Sequence, residues 1–334
     1  MTISQETSDI GESAANKKYQ VLKLIAQEAL KQYELKCNSV EFMVEETNMF
    51  FKVTCKDGTN YALKIFQEES SSLDDNRAEI YFLNQLKYIE TSEVIKNKHG
   101  EGITIVKSKH TDIPKRVAIY TWLEGEDFEG NETEELFTKV GELAAMLHLQ
   151  TMGLNIPADI KPKKWDKVFY YEGEEPVYKQ GKYAEFVDEE TIEVMDKIIP
   201  YLNTKLSDFY NKDLPQLLHA DLNPWNIKVH EGKLRLLDFE EAMLAYPVHD
   251  IAIMLYYYRY SKSWRYEKVK KLVISGYKKI IPQVRFDDED LETLMIARRV
   301  NFLNYVLVID NDPGDFIKMC KERIKEFMVK RNLL

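Results

Sequence analysis

The chain has 334 residues, 44% hydrophobic and 31% charged, with 46 Lys+Arg against 56 Asp+Glu for a formal charge of −10. That composition excludes a disordered chain, a collagen and a small disulfide scaffold, and the acidic balance argues against nonspecific nucleic-acid binding, which needs a basic footprint. Cys37, Cys55 and Cys320 are too scattered for a zinc cluster or a disulfide framework, and read as reduced thiols of a cytoplasmic protein.

Met1 to Asn16 is polar, with no basic segment ahead of an apolar one, so it does not read as a signal peptide. Residues 1–15 lack an apolar period and are expected to form a flexible tail. From Tyr19, the positions Val21, Leu22, Leu24, Ile25, Ala29 and Leu30 have helical spacing. Val40 to Val44 reads as a strand. Phe50 to Cys55 and Tyr61 to Phe66 are β-rich runs joined by Lys56-Asp57-Gly58-Thr59, a hairpin signal. Ser70-Ser71-Ser72 offers a cap for a helix over about 74–89, and Ile103 to Lys107 and Arg116 to Tyr120 read as further strands. Two glycines in 121–130 mark a break, which divides the chain into lobes at 16–122 and 123–334. Beyond it, helical patterns cover about 131–150, 184–210, 247–260, 264–280, 288–310 and 313–331. One short β pair, Ile227 to His230 and Leu234 to Leu237, interrupts them. The longest apolar run, Ile251 to Tyr258, is too short to span a bilayer and reads as a buried helix segment.

The stretch that carries chemistry is Leu217 to Glu241. It holds His219-Ala-Asp221, then Asn226 after four intervening residues, then Asp238-Phe239-Glu240 at the end of a β run. Phosphoryl transfer needs such a set. One carboxylate holds the attacking hydroxyl in line and takes its proton. An amide oxygen and a second carboxylate coordinate magnesium on the nucleotide phosphates. A loop followed by a hairpin brings three such groups together.

His-x-Asp-x₄-Asn followed by Asp-Phe-Glu resembles the eukaryotic-like kinases, and most closely the aminoglycoside phosphotransferase and choline kinase branch. Protein kinases read His-Arg-Asp and Asp-Phe-Gly at these places; Ala220 and Glu240 stand there here. Pro247-Val248-His249-Asp250 also resembles that branch. Upstream, Tyr61-Ala62-Leu63-Lys64 resembles the strand lysine motif, and Glu79, fifteen residues on, fits its helix partner. Ile119-Tyr120-Thr121-Trp122 fits the hinge. One departure is plain: Val44 to Phe50, where a phosphate loop belongs, contains no glycine. Asn48 and Phe51 stand where the branch has an Asn and a following aromatic.

The resemblance implies an α+β, two-lobed protein-kinase-like fold. A small N-terminal antiparallel-sheet lobe binds nucleotide, and a larger, mainly helical C-terminal lobe carries catalysis and substrate. It implies ATP or GTP and Mg2+ as cofactors. Asp221 is then the catalytic base, and Asn226 and Asp238 are the metal ligands. Lys64, Glu79, Asn48, Tyr120 and Trp122 lie on the nucleotide side. The partner is a nucleoside triphosphate with a small-molecule hydroxyl acceptor, with neither nucleic acid nor membrane involved and the oligomeric state open. An aminoglycoside-like amino sugar is the first acceptor. Homoserine, choline, methylthioribose, a stress-type protein Ser/Thr kinase and a non-catalytic pseudokinase are the alternatives. A surface acid is the competing reading of Glu79, and His219 is read as propping the loop. Asp250 reads as a helix cap or loop brace, and Trp225 as packing against the lobe core, with facing the acceptor pocket as its alternative. The acid runs Glu124–Glu135 and Asp287–Asp290 fit a solvated face or a cationic substrate equally well.

Overall fold

The computed structural model describes residues 3–68, 70–171, 173–212, 215–310 and 312–334, with side chains from Lys17 onward. Two compact units divide the chain. One comprises Met1–Asn84, Thr91–Glu124 and Asp159–Lys161, and the other Gln85–Glu90, Gly125–Ala158 and Pro162–Leu334.

The first unit opens with a long helix, α1 (Ile3–Leu30). It starts well before Tyr19, so its first turns run through the segment expected as a tail. Lack of an apolar period removes the reason to pack, not the backbone's capacity for helix. Leu22, Ile25, Ala26 and Ala29 bury one stripe of it against Val40, Phe51, Val53, Leu63 and Val117 of the sheet. The sheet follows as β1 (Cys37–Glu45), β2 (Met49–Cys55) and β3 (Asn60–Phe66). After helix α2 (Leu73–Gln85) and the two-residue strand β4 (Glu90–Thr91) come β5 (Val94–Ile95), β6 (Thr104–Val106) and β7 (Lys115–Thr121). The order is β1-β2-β3-β7-β5, with β6 also on β7, and every pairing is antiparallel.

Strict alternation decides which residues reach the core. Met49, Phe51, Val53 and Cys55 are buried, and Phe50, Lys52 and Thr54 face the other way. The β2–β3 hairpin turns at Gly58, with φ +86°, where the Asp57 carboxylate accepts from Thr59 N at 3.0 Å. Ser72 caps α2 reciprocally. Its Oγ accepts from Asp75 N at 3.1 Å, and Asp75 Oδ2 accepts from Ser72 N at 2.8 Å.

The second unit runs β8 (Glu126–Asp127), α3 (Glu134–Thr151), β9 (Lys163–Lys164), α4 (Glu189–Lys212) and β10 (Gln216–Leu218). It continues with β11 (Ile227–His230), β12 (Lys233–Leu236), β13 (Met243–Ala245), α5 (Val248–Tyr258), α6 (Tyr266–Ile280), α7 (Asp288–Ile309) and α8 (Gly314–Lys330). Gly125, just before β8, has φ +143°, and a Cβ there would meet Val229 O at 2.9 Å, so the turn into β8 requires glycine. Ile251 to Leu255 of α5 are fully covered, as a buried helix segment should be. α3 and α6 approach closely through Gly141 and Gly276; a Cβ on either would lie 1.9 Å from a carbonyl of the facing helix.

Two small sheets frame the chemical motif. β11 pairs antiparallel with β12 and β8, while β13 pairs antiparallel with β10 and parallel with β9. The segment carrying Asp221 and Asn226 thus leaves one sheet at β10 and enters the other at β11. The segment carrying Asp238 returns from β12 to β13. Among the described residues, no helix is long and apolar enough to cross a membrane.

Candidate active site

The loop after β10 is pinned before it presents any side chain. Ala220 lies in the left-handed region at φ +62°, a conformation L-residues adopt only when their surroundings hold them. Asp250, in the first turn of α5, supplies the hold. Its Oδ1 accepts from Ala220 N at 2.7 Å and its Oδ2 from His219 N at 3.2 Å. His148 Nε2 reaches the same Oδ2 at 2.9 Å, and Tyr277 OH meets His148 Nδ1 at 2.8 Å. Burial alone would raise the Asp250 carboxyl, but the His148 hydrogen bond and the neighbouring imidazoles leave it below the ordinary aspartate value. Asp250 is therefore a loop brace, one of the two roles expected for it.

His219 props the loop, as its place in the motif suggested. Its Nδ1 accepts from Asp221 N at 3.2 Å, which leaves Nε2 to donate to Leu237 O at 2.8 Å. One imidazole thereby ties the Asp221 loop to the strand end that carries Asp238.

Asp221 and Asn226 come together. Asn223 N bonds Asp221 O at 2.7 Å, and Asn223 Oδ1 caps the short 3₁₀ turn Pro224–Asn226 by accepting from Asn226 N at 2.9 Å. The turn brings Asn226 Nδ2 to 3.1 Å from Asp221 Oδ2 and 3.0 Å from Asp221 O. Because both of those bonds use the amide nitrogen, Asn226 Oδ1 is left as an acceptor. Leu237 N bonds Asn226 O at 2.8 Å, which fixes Asp238 next to this turn. Asp238 is left-handed at φ +54°.

Two oxygen ligands, one amide and one carboxylate, suit magnesium, which commonly takes one or two protein oxygens and completes its shell with phosphate and water. The described residues contain no cluster of three or more His, Cys, Asp or Glu that could hold a metal by itself.

Sequence reasoning missed what lies beside Asp221. Arg298 of α7, 77 residues downstream, places Nη2 at 2.6 Å from Asp221 Oδ1. Burial raises the Asp221 carboxyl above its usual range, and Arg298 opposes that rise. A second missed group is Lys163 of β9, with Nζ at 3.1 Å from Glu241 Oε2 and 2.7 Å from Glu240 O. Tyr171 OH also bonds Glu241. Burial would raise the Glu241 carboxyl, but Lys163 and Tyr171 hold it below its ordinary value. A signal for Arg298 existed: Arg298-Arg299 interrupts the apolar run Ile296 to Val300, and both arginines are buried.

Trp225 corrects another expectation. It does not pack in the core but stands half exposed, edge-on to Tyr257 with centroids 4.8 Å apart. The 3₁₀ turn that aims Asn226 inward carries its predecessor outward.

In the first unit Lys64 and Glu79 do pair. Lys64 Nζ lies 3.2 Å and 3.3 Å from the two carboxylate oxygens, and both side chains are buried. The surface-acid reading of Glu79 is thereby excluded. Tyr120 OH donates to Glu79 Oε1 at 2.8 Å, so the hinge tyrosine belongs to the same cluster through its side chain. Phe50, opposite Lys64 in the register, sets its ring 5.6 Å from Nζ. Phe51, expected to be the aromatic of the phosphate loop, points into the core instead, by the alternation of β2.

Asn48 sits in the β1–β2 turn. Its Oδ1 accepts from Gln67 N at 3.0 Å, and its carbonyl accepts from Glu46 N at 3.0 Å. Glu45 is turned to Lys18. Trp122 lies under the Lys52 ammonium, 4.9 Å from its ring centroid.

The sequence pattern of the phosphotransferase enzyme family matches residues 45–277. Amicoumacin kinase of Bacillus subtilis (strain 168) is 26% identical over 234 residues, covering 69% of this chain and 66% of that kinase, so the chain spans just under two thirds of the relative's length. Among solved structures, a microcompartment-associated aminopropanol kinase superposes with a TM-score of 0.75 at 18% identity, covering 93% of this chain and 98% of that one. An amicoumacin kinase in complex with AMP-PNP, Ca2+ and a compound designated Ami gives a TM-score of 0.73 at 18% identity, covering 91% and 93%. At such identities the likeness shows the fold alone, which is the protein-kinase-like α+β fold that the motifs led us to expect.

Proposed function

This chain belongs to the phosphotransferase enzyme family, and on that premise we propose that it moves the γ-phosphate of ATP or GTP to a hydroxyl of a small molecule that also bears an amine. The observation that carries the reading is the loop of the second unit. It holds a partly buried carboxylate, Asp221, and an amide, Asn226, within 3.1 Å, with Asp238 tethered alongside through Leu237.

In this reading Asp221 aligns the acceptor hydroxyl and takes its proton as the phosphoryl group departs. Asn226 Oδ1 and Asp238 would hold the magnesium, which when bound neutralises charge on the phosphate oxygens. Lys64, kept in place by Glu79 and Tyr120, reaches the phosphates. The backbone at Tyr120 and Trp122 meets the base. Asn48 fixes the β1–β2 turn over the phosphates in place of the missing glycines. The amine in the acceptor is supported by the names of two relatives, amicoumacin kinase and aminopropanol kinase, and amino sugars are its first candidates.

ADP release with a panel of amino sugars, amino alcohols, neutral sugars and peptides tests the proposal. Amine-bearing alcohols are expected to give the highest kcat/KM, and turnover of peptides only would overturn the small-molecule reading. Asp238→Ala should remove the divalent-ion dependence of nucleotide binding, because neutral Asn226 remains as the only ligand of the pair. An unchanged dependence would take Asp238 out of the site.

A further inference from the structure

Arg298 is 6% exposed, and its one carboxylate partner among the described residues is Asp221. The reaction asks that partner to turn to an acceptor hydroxyl. Arg298 Nε is buried and forms no hydrogen bond among the described residues. A guanidinium carries five donors in a fixed fork, and a buried donor left without a partner is costly, so the place calls for a water, an ion or a ligand group. The guanidinium lies over one aromatic ring, Phe302, with Cζ 5.4 Å from the centroid, and Tyr257 is its electrostatic neighbour. Tyr257 in turn meets the half-exposed Trp225. Trp225, Tyr257, Arg298 and Asp221 thus neighbour one another in turn, from a half-exposed indole to the carboxylate assigned as base.

This arrangement does not suit a polycation, whose ammonium groups would meet a buried guanidinium beside the reacting carboxylate. It suits a molecule that brings a planar anion. A carboxylate matches the fork of Arg in shape and charge, and it compensates Arg298 when Asp221 turns to the hydroxyl.

We propose that Arg298 is an acceptor-binding residue and that the acceptor carries a carboxylate beside its hydroxyl, so that the amine-bearing alcohols narrow to zwitterionic ones and polycationic amino sugars fall behind them. The proposal rests on the phosphotransferase reading above and adds a second recognised group to it.

Matched pairs of acceptors test it: hydroxy-amino acids against the amino alcohols that lack only the carboxylate, each assayed by ADP release with the wild-type protein, Arg298→Lys and Arg298→Met. The wild type should favour the carboxylate member by roughly 10- to 100-fold in kcat/KM, the range of a charge-assisted hydrogen bond. The preference should reside mainly in KM. Arg298→Met should bring the ratio to about one, whatever it does to the absolute rate, and Arg298→Lys should keep part of it. If Arg298→Met does not fold, the wild-type ratio and the lysine variant still decide. A wild-type preference for the carboxylate-free members, or a ratio that survives Arg298→Met, overturns the proposal and leaves the phosphotransferase reading standing. Absence of ADP release with every acceptor overturns both.

Discussion

Two buried charges at the residue scale lead to opposite expectations on substitution. Lys64 and Glu79 form an ion pair with both partners covered, and breaking one side of such a pair strands a charge. Glu79→Ala should therefore cost about 3–5 kcal/mol of stability, since the Tyr120 hydroxyl also loses its acceptor. Lys64→Met combined with Glu79→Leu removes both charges and should recover most of that loss, yet leave nucleotide binding abolished. Urea denaturation beside nucleotide titration separates the two effects; a double variant as unstable as the single one would contradict this account of the pair.

Asp250 behaves differently, because it holds two backbone donors of the loop and His148 of α3 at once. Asp250→Asn keeps the shape but loses the charge, and should cost about 1–3 kcal/mol at pH 7. The sign of the pH dependence follows from the lowered carboxyl. Its contribution is present above the ordinary value of 3.8 and is lost only as pH falls through the still lower folded-state value. The stability gap between the two proteins should stay level from pH 8 to about 5 and narrow only below 3.8. A gap that narrows between pH 8 and 6 would assign the effect to another group.

At the scale of elements, the crossing of α3 and α6 depends on two glycines rather than on a pattern of large residues. Gly276→Ala would drive a methyl to 1.9 Å from Thr138 O, so the helices must separate. Overpacking of this kind costs about 1–3 kcal/mol, and more where backbone is the obstacle. Gly181→Ala, where no atom lies within 4 Å and φ is not left-handed, is the control and should change stability by less than about 0.5 kcal/mol. Equal effects at the two positions in thermal unfolding would refute the close-approach account.

The same scale shows what the sequence could and could not reveal. The long helices and the β2–β3 hairpin carry a repeating apolar period or a turn signal, and these are properties of neighbouring residues. β9, β10 and β13 are two or three residues long, too short for any period to register, yet they frame the Asp221 loop. The motif of Asp221, Asn226 and Asp238 was legible because its chemistry needs close spacing on one loop and one hairpin. Arg298 stood out as a charge in an apolar run, but its partner did not, because helix packing brings it 77 residues back to Asp221. Lys163 reaches Glu241 across 78 residues by the pairing of β9 with β13. Phe50 and Phe51 show the finer limit: both were visible as aromatics, and only the register of β2 decides which one meets Lys64.

The family match over residues 45–277 takes in Lys64 and Glu79 as well as Asp221, Asn226 and Asp238. The net charge of −10 adds a condition on the whole molecule. A cationic acceptor would be drawn by the general field, with binding weakened by added salt, whereas the pairing at Arg298 is buried and should be screened far less. The central claim is phosphoryl transfer to a small-molecule hydroxyl with Asp221 as base. Its most direct test is to measure ADP release and the phosphorylated product by mass spectrometry for the wild type and Asp221→Asn at saturating nucleotide, with nucleotide affinity determined alongside. The account predicts a singly phosphorylated small molecule from the wild type, and turnover lower by roughly 10²- to 10⁴-fold in Asp221→Asn with nucleotide affinity kept. Asp221→Asn turning over at the wild-type rate would contradict it.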